Sequence, residues 1–136
     1  MFYTPENDKY ILYEECVPGY TIDELFKKGT QFSKKFVIKM ATALCNILKP
    51  IHNDNLIHRD ISPNNVMYSQ IEDKFYLIDF GNSRLNKINT PKDTVFAGTP
   101  IFMAPEQGGV GTQSDNRTDI YAIGMLMKFM LTKNTT

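Results

Sequence analysis

Two aspartates and an asparagine near the middle of this chain have the types and spacing to do chemistry. Asp60 follows His58-Arg59 and precedes Ile61-Ser62-Pro63-Asn64-Asn65, so an amide lies five residues after the carboxylate. Asp79 opens Asp79-Phe80-Gly81, and Ala104-Pro105-Glu106 comes later. A carboxylate such as Asp60 suits the work of orienting a hydroxyl and accepting its proton. A second carboxylate and an amide oxygen are hard donors of the kind a small divalent cation takes. Each three-residue block is weak alone, because short matches arise by chance. Their weight lies in the order and separation.

That ordered set, His58-Arg59-Asp60 with Asn65, then Asp79-Phe80-Gly81, then Ala104-Pro105-Glu106, resembles the signature of protein kinases. The resemblance runs from the hinge between the family's two lobes to the central helix of the carboxy-terminal lobe. It implies an α+β, protein-kinase-like fold, mostly the helical carboxy-terminal lobe with the last strands of the amino-terminal lobe, incomplete at both ends. Residues 1–17 would be the strand and hinge remnant, and 18–136 the carboxy-terminal lobe. Within that lobe lie a catalytic loop at 58–65, an activation segment at 79–106 and a central helix at about 119–131. The implied activity is transfer of the ATP γ-phosphate to a Ser or Thr hydroxyl of a protein substrate, with Mg²⁺ as the metal.

Phosphoryl transfer asks a protein mainly for positioning and charge neutralisation. By resemblance Asp60 is the base, and Asn65 and Asp79 hold Mg²⁺, with Asp79 also serving the nucleotide. Thr99 matches the Thr that contacts the catalytic Asp and shapes the acceptor site. Leu12 to Gly19 resembles the hinge, where backbone groups around Glu15 to Val17 would meet adenine; Glu14 then takes the gatekeeper position, where a charge is unusual. Arg59 matches the Arg that pairs with an activation-segment phosphate, since a guanidinium binds phosphate oxygens bidentately. Thr90 and Thr94 are the nearest candidate phosphosites, and solvated loop threonines are an equal reading of them. Arg84 reads equally as a surface charge. Asp119, with Gly124, matches the central helix whose Asp anchors the catalytic-loop backbone, and a buried carboxylate must find donors. Phe102-Met103-Ala104-Pro105-Glu106-Gln107 is similar to bacterial Ser/Thr kinases.

Three departures qualify the match. Ser62 stands where most Ser/Thr kinases carry a Lys that stabilises the transferring phosphate, and a Ser offers only a neutral hydrogen bond. No Gly-rich loop precedes the hinge, and neither member of the family's Lys–Glu ion pair is present. The chain ends after the central helix, so an exposed apolar surface on that helix and an unpaired Glu106 are expected. A truncated lobe acting as a non-catalytic binding module, or a gene fragment starting from an internal methionine, are the alternative readings.

The elements that must position these residues are legible. Tyr10-Ile11-Leu12-Tyr13 reads as a strand stopped by Pro18-Gly19. Thr21 caps a short helix ending near Gly29. Ser33 caps a longer one, with Phe36, Val37, Met40, Ala41, Leu44, Ile47, Leu48 and Ile51 along one face. Pro50 should kink or loosen its last turn, and His52 reads as a packing or capping residue rather than a ligand. Val66-Met67-Tyr68 and Phe75-Tyr76-Leu77-Ile78 are short strands about a polar turn. Asp119 to Leu131 is apolar on nearly every face, as a central helix would be.

Composition adds exclusions. Fifteen Lys and Arg balance fifteen Asp and Glu without a like-charge block, so neither nucleic acid nor an anionic membrane is indicated as partner. The apolar run at the final helix is interrupted by Lys128 and too short to span a bilayer, and the start lacks a signal-peptide pattern. Cys16 and Cys45 lack metal-ligand spacing and read as buried free thiols in a reducing cytosol. A cytoplasmic protein is expected.

Overall fold

The computed structural model describes residues 2–6, 9–85, 99–108 and 114–132. Strands β1 (Phe2–Glu6) and β2 (Lys9–Tyr13) pair antiparallel, with Phe2 opposite Tyr13 and Glu6 opposite Lys9. An irregular stretch then leads to Gly19 and the short β3 (Tyr20–Thr21). Gly19 is required by a close approach. A Cβ there would lie 2.3 Å from the carbonyl oxygen of Tyr68, closer than any side chain tolerates.

Helix α1 (Ile22–Lys27) begins with a capping box. Thr21 Oγ1 accepts from the Glu24 N–H at 3.1 Å, and Glu24 Oε2 accepts from the Thr21 N–H at 2.7 Å, which satisfies two otherwise orphaned donors. Ser33 caps α2 (Lys34–Asn53) by accepting from the Phe36 N–H at 3.1 Å. Val37, Met40, Leu44 and Leu48 form its fully buried stripe, each contributing on the order of 1.5–3 kcal/mol by leaving water. The helix runs through Pro50 to Asn53. Asn55, at φ +58°, turns the chain out of it, the left-handed role Asn fills after a helix.

Strand β4 (Leu56–Ile57) pairs antiparallel with β7 (Arg84–Leu85). Between them, β5 (Val66–Ser69) and β6 (Lys74–Leu77) form a hairpin, with Val66 opposite Leu77, and β3 adds to the other edge of β5. Phe36 of α2 packs edge-on to Tyr68, ring centroids 4.9 Å apart, and against Phe75 at 5.2 Å. These rings seat the hairpin on α2. Two 3₁₀ turns, Pro100–Phe102 and Pro105–Gly108, precede α3 (Asn116–Thr132). Ala122, Ile123, Leu126, Phe129 and Met130 of α3 enter the same core as the α2 stripe.

These elements make an α+β fold in which α2 and α3 carry the loops between β4 and β7. Its opposite face leaves Ile120, Tyr121 and Leu131 of α3 exposed, the apolar surface expected there. Both cysteines are exposed, not buried as expected. Cys45 follows the buried Leu44 and so falls on the outer side of α2, and Cys16 sits in the irregular stretch after β2. Among the described residues, no helix is long and apolar enough to cross a membrane.

Candidate active site

The loop at 58–65 joins β4 to β5 and is anchored from α3. Asp119, fully buried, accepts the backbone N–H of His58 at 3.0 Å and that of Arg59 at 2.9 Å. His52, near the end of α2, adds a ring nitrogen 2.7 Å from Asp119 Oδ2. Three donors thus face one carboxylate, which is what keeps a buried charge tolerable. Sequence reasoning expected the anchoring role of Asp119 but gave His52 only packing or capping.

Arg59 is held in the left-handed region, φ +67°. Its N–H goes to Asp119, and its carbonyl accepts from Gln107 Nε2 at 2.7 Å. Gln107 is buried, and its Oε1 accepts from the Ala104 N–H at 2.9 Å. The side chain after Glu106 therefore staples the 3₁₀ turns to the loop, a role that no sequence signal announced. The Arg59 Nε donates to the carbonyl of Asn82 at 2.6 Å. Burial lowers the pKa of Arg59, with the Asp119 charge opposing. Arg84 is lowered by burial and then by the charge of Arg59, so the two guanidiniums feel one another.

His58 is fully buried and read most simply as the neutral Nε2–H tautomer. Nε2 lies 3.0 Å from the Ile78 carbonyl, and Nδ1 accepts from the Asp60 N–H at 3.2 Å. Burial pushes the imidazole below its usual 6.5, although the Ile78 bond and the charges of Asp119, Asp60 and Asp79 pull upward. Its ring meets Phe80 edge-on at 4.7 Å, which ties the loop to Asp79-Phe80-Gly81.

Asp60 is gripped at three points. Thr99 Oγ1 donates to Oδ1 at 2.7 Å, Asn82 Nδ2 donates to Oδ2 at 3.2 Å, and Asn65 Nδ2 donates to the main-chain carbonyl at 2.8 Å. The Asn65 carbonyl in turn accepts from the Ile78 N–H at 2.9 Å, so the loop is braced against the end of β6. Asp79 is exposed, at φ +59°, with Oδ1 accepting from the Gly81 N–H at 3.1 Å. It shares an open cleft of about 210 Å³ with Glu14, Glu15, Val17 and Phe80. Glu15, Val17 and Asp79 are thus brought together.

Two residues behave otherwise. Ser62 is fully buried, and its Oγ has no hydrogen-bond partner among the described residues; in this conformation it presents no hydroxyl to a phosphate. Glu106, expected to be unpaired, accepts from Thr118 Oγ1 at 2.8 Å, because the start of α3 packs beside the second 3₁₀ turn. Thr90 and Thr94 lie outside the described residues.

Comparison with known proteins identifies the family. The family profile described as "Protein kinase domain" matches residues 1–136. Serine/threonine-protein kinase C of Synechocystis sp. is 30% identical over 98% of this chain and 26% of its own length. Serine/threonine-protein kinase B of the same organism is 32% identical over 98% of this chain and 24% of its own. Serine/threonine-protein kinase PknA of Nostoc sp. is 29% identical over 96% of this chain and 24% of its own. The chain belongs to the protein kinase family. It spans about a quarter of the length of these curated relatives.

Proposed function

We propose that this chain carries a phosphotransfer site that moves the ATP γ-phosphate to a Ser or Thr hydroxyl of a protein, with Asp60 as the base. The observation that carries this reading is the triple hold on Asp60, whose carboxylate orientation is set by Thr99 and Asn82 while Asn65 fixes its backbone. A preset carboxylate can receive the proton of an incoming hydroxyl without reorganising. Thr99 stands beside the oxygen that this hydroxyl would approach.

Asn65 and Asp79 suit Mg²⁺. The Asn65 NH₂ group donates to the Asp60 carbonyl, which leaves the amide oxygen as the donor atom. Asp79 offers an exposed carboxylate on the cleft. One carboxylate and one amide oxygen match the way Mg²⁺ binds through few protein ligands, with phosphate and water completing its shell. Bound there, the metal would neutralise the phosphate charge. This neutralisation matters more here because Ser62 replaces a Lys and lies buried. The stretch at Glu15 and Val17 is the adenine side of the cleft in this reading. Arg59 and Arg84 are the cations that a phosphate on Thr90 or Thr94 would meet, and the site would work in the cytoplasm.

The test is thermal unfolding of the chain with and without Mg²⁺-ATP, using Asp79→Asn as control. A ligand at about 100 times its Kd stabilises the folded state by about 2.7 kcal/mol. The reading expects a midpoint raised by Mg²⁺-ATP in the wild type and not in Asp79→Asn. A cooperative transition that ignores Mg²⁺-ATP would instead favour a non-catalytic binding module.

A further inference from the structure

Asn82 follows Asp79-Phe80-Gly81, and the sequence assigned it nothing. Its two ends grip consecutive residues of the catalytic loop. The backbone carbonyl accepts from Arg59 Nε at 2.6 Å, and Nδ2 donates to Asp60 Oδ2 at 3.2 Å. The turn that presents Asn82 is itself fixed, with the Ser83 N–H donating to the Phe80 carbonyl at 3.0 Å and Ser83 Oγ reaching the His58 carbonyl at 3.4 Å. Residues 82 and 83 therefore dock on His58, Arg59 and Asp60 in turn.

We propose that Asn82 is a positioning residue for the Asp60 carboxylate; this rests on the reading of Asp60 as base. Rotation about the bond that carries a carboxylate is soft and two-fold. One donor at one oxygen fixes the group weakly, whereas donors at both oxygens fix its plane. Thr99 supplies the donor at Oδ1, on the side where an acceptor hydroxyl must arrive and compete. The amide of Asn82 is the hold that persists when that competition occurs. It leaves Oδ1 as the proton-accepting oxygen. An aspartate at 82 would set two carboxylates against one another, and an aliphatic side chain would leave Oδ2 without its donor.

The experiment compares Asn82→Ala, Asn82→Gln and Asp60→Ala in the full chain. It reads steady-state phosphotransfer to a Ser/Thr peptide and the ¹⁵N side-chain amide signal of Asn82. Asn82→Ala is expected to lower kcat about 10- to 100-fold, with KM for Mg²⁺-ATP and the unfolding midpoint little changed. Asn82→Gln, which keeps an amide donor, recovers part of the loss. The Asn82 amide signal shifts when Asp60 becomes Ala. Equal kcat in Asn82→Ala and wild type, alongside an inactive Asp60→Ala, overturns the role of Asn82 alone. Full activity in Asp60→Ala overturns the base reading, and this inference with it. An Asn82 amide indifferent to Asp60→Ala removes the contact and overturns the inference whatever the kinetics.

Discussion

The carboxylate of Asp119 accepts the backbone N–H of Arg59 at 2.9 Å while Arg59 sits at a φ of +67°. A non-glycine residue in that region costs on the order of 1–3 kcal/mol and persists only where its surroundings impose it. Here the imposing groups come from α3 and from Gln107. Asp119→Ala would strand two backbone N–H groups and the ring of His52, and each stranded buried donor costs about 1–3 kcal/mol. Chemical denaturation should show a loss of about 3 kcal/mol or more, with Asp119→Asn losing less because it keeps an acceptor. An Asp119→Ala chain as stable as wild type would mean that the loop holds its own shape.

Gln107 uses both ends of its amide, as donor to the Arg59 carbonyl and as acceptor from the Ala104 N–H. Gln107→Glu keeps the acceptor but opposes a carboxylate to a carbonyl. Gln107→Met keeps the volume and loses both bonds. Both variants should lose about 1–3 kcal/mol of stability. Gln107→Glu should regain part of it on acidification, since a protonated carboxyl can donate. Indistinguishable pH profiles for the two would argue against this staple.

Gly19 is a packing position. The atom that an added Cβ would meet at 2.3 Å is the main-chain oxygen of Tyr68, which cannot swing aside as a long side chain would. Gly19→Ala should therefore cost about 1–3 kcal/mol, as overpacking does. It should also disturb the neighbouring Glu15–Val17 side of the cleft, read as weaker Mg²⁺-ATP stabilisation.

Burial holds the His58 imidazole below its ordinary 6.5. The unfolded chain therefore takes up a proton before the folded chain does. This contribution is fully present above pH 6.5 and is lost as pH falls towards the depressed folded value. Denaturation midpoints between about pH 7.5 and 5.5 should fall on acidification, and less steeply in His58→Gln. A midpoint that stays flat or rises as the wild type is acidified would contradict the neutral buried imidazole.

How much of this was legible depended on whether a residue's job is local. Thr21 and Ser33 as caps, the apolar stripe of α2 and the turn before Lys74 follow from patterns within a few residues. The order and spacing of His58-Arg59-Asp60, Asn65, Asp79-Phe80-Gly81 and Ala104-Pro105-Glu106 carried the family resemblance. Three supporting contacts did not show. His52 meets Asp119 across 67 positions, Gln107 meets Arg59 across 48, and Asn82 meets Asp60 across 22. A lone polar residue has no periodicity to declare such a partner. The same limit explains Cys45. Its type favours burial, but its place next to Leu44 on α2 decides its exposure. For Glu106, the partner Thr118 belongs to an element whose packing only the fold reveals.

The central claim is phosphotransfer with Asp60 as base and Asp79 as metal ligand. The most direct measurement is transfer of label from γ-labelled ATP in Mg²⁺ to a mixture of Ser/Thr-containing protein substrates, followed by phosphoamino-acid analysis. Wild type, Asp60→Ala and Asp79→Asn would be compared. The account predicts phosphoserine or phosphothreonine in the wild type, reduced at least about 100-fold in either variant. Labelling that survives unchanged in both variants, or a folded wild-type chain that binds Mg²⁺-ATP and transfers nothing, would contradict it.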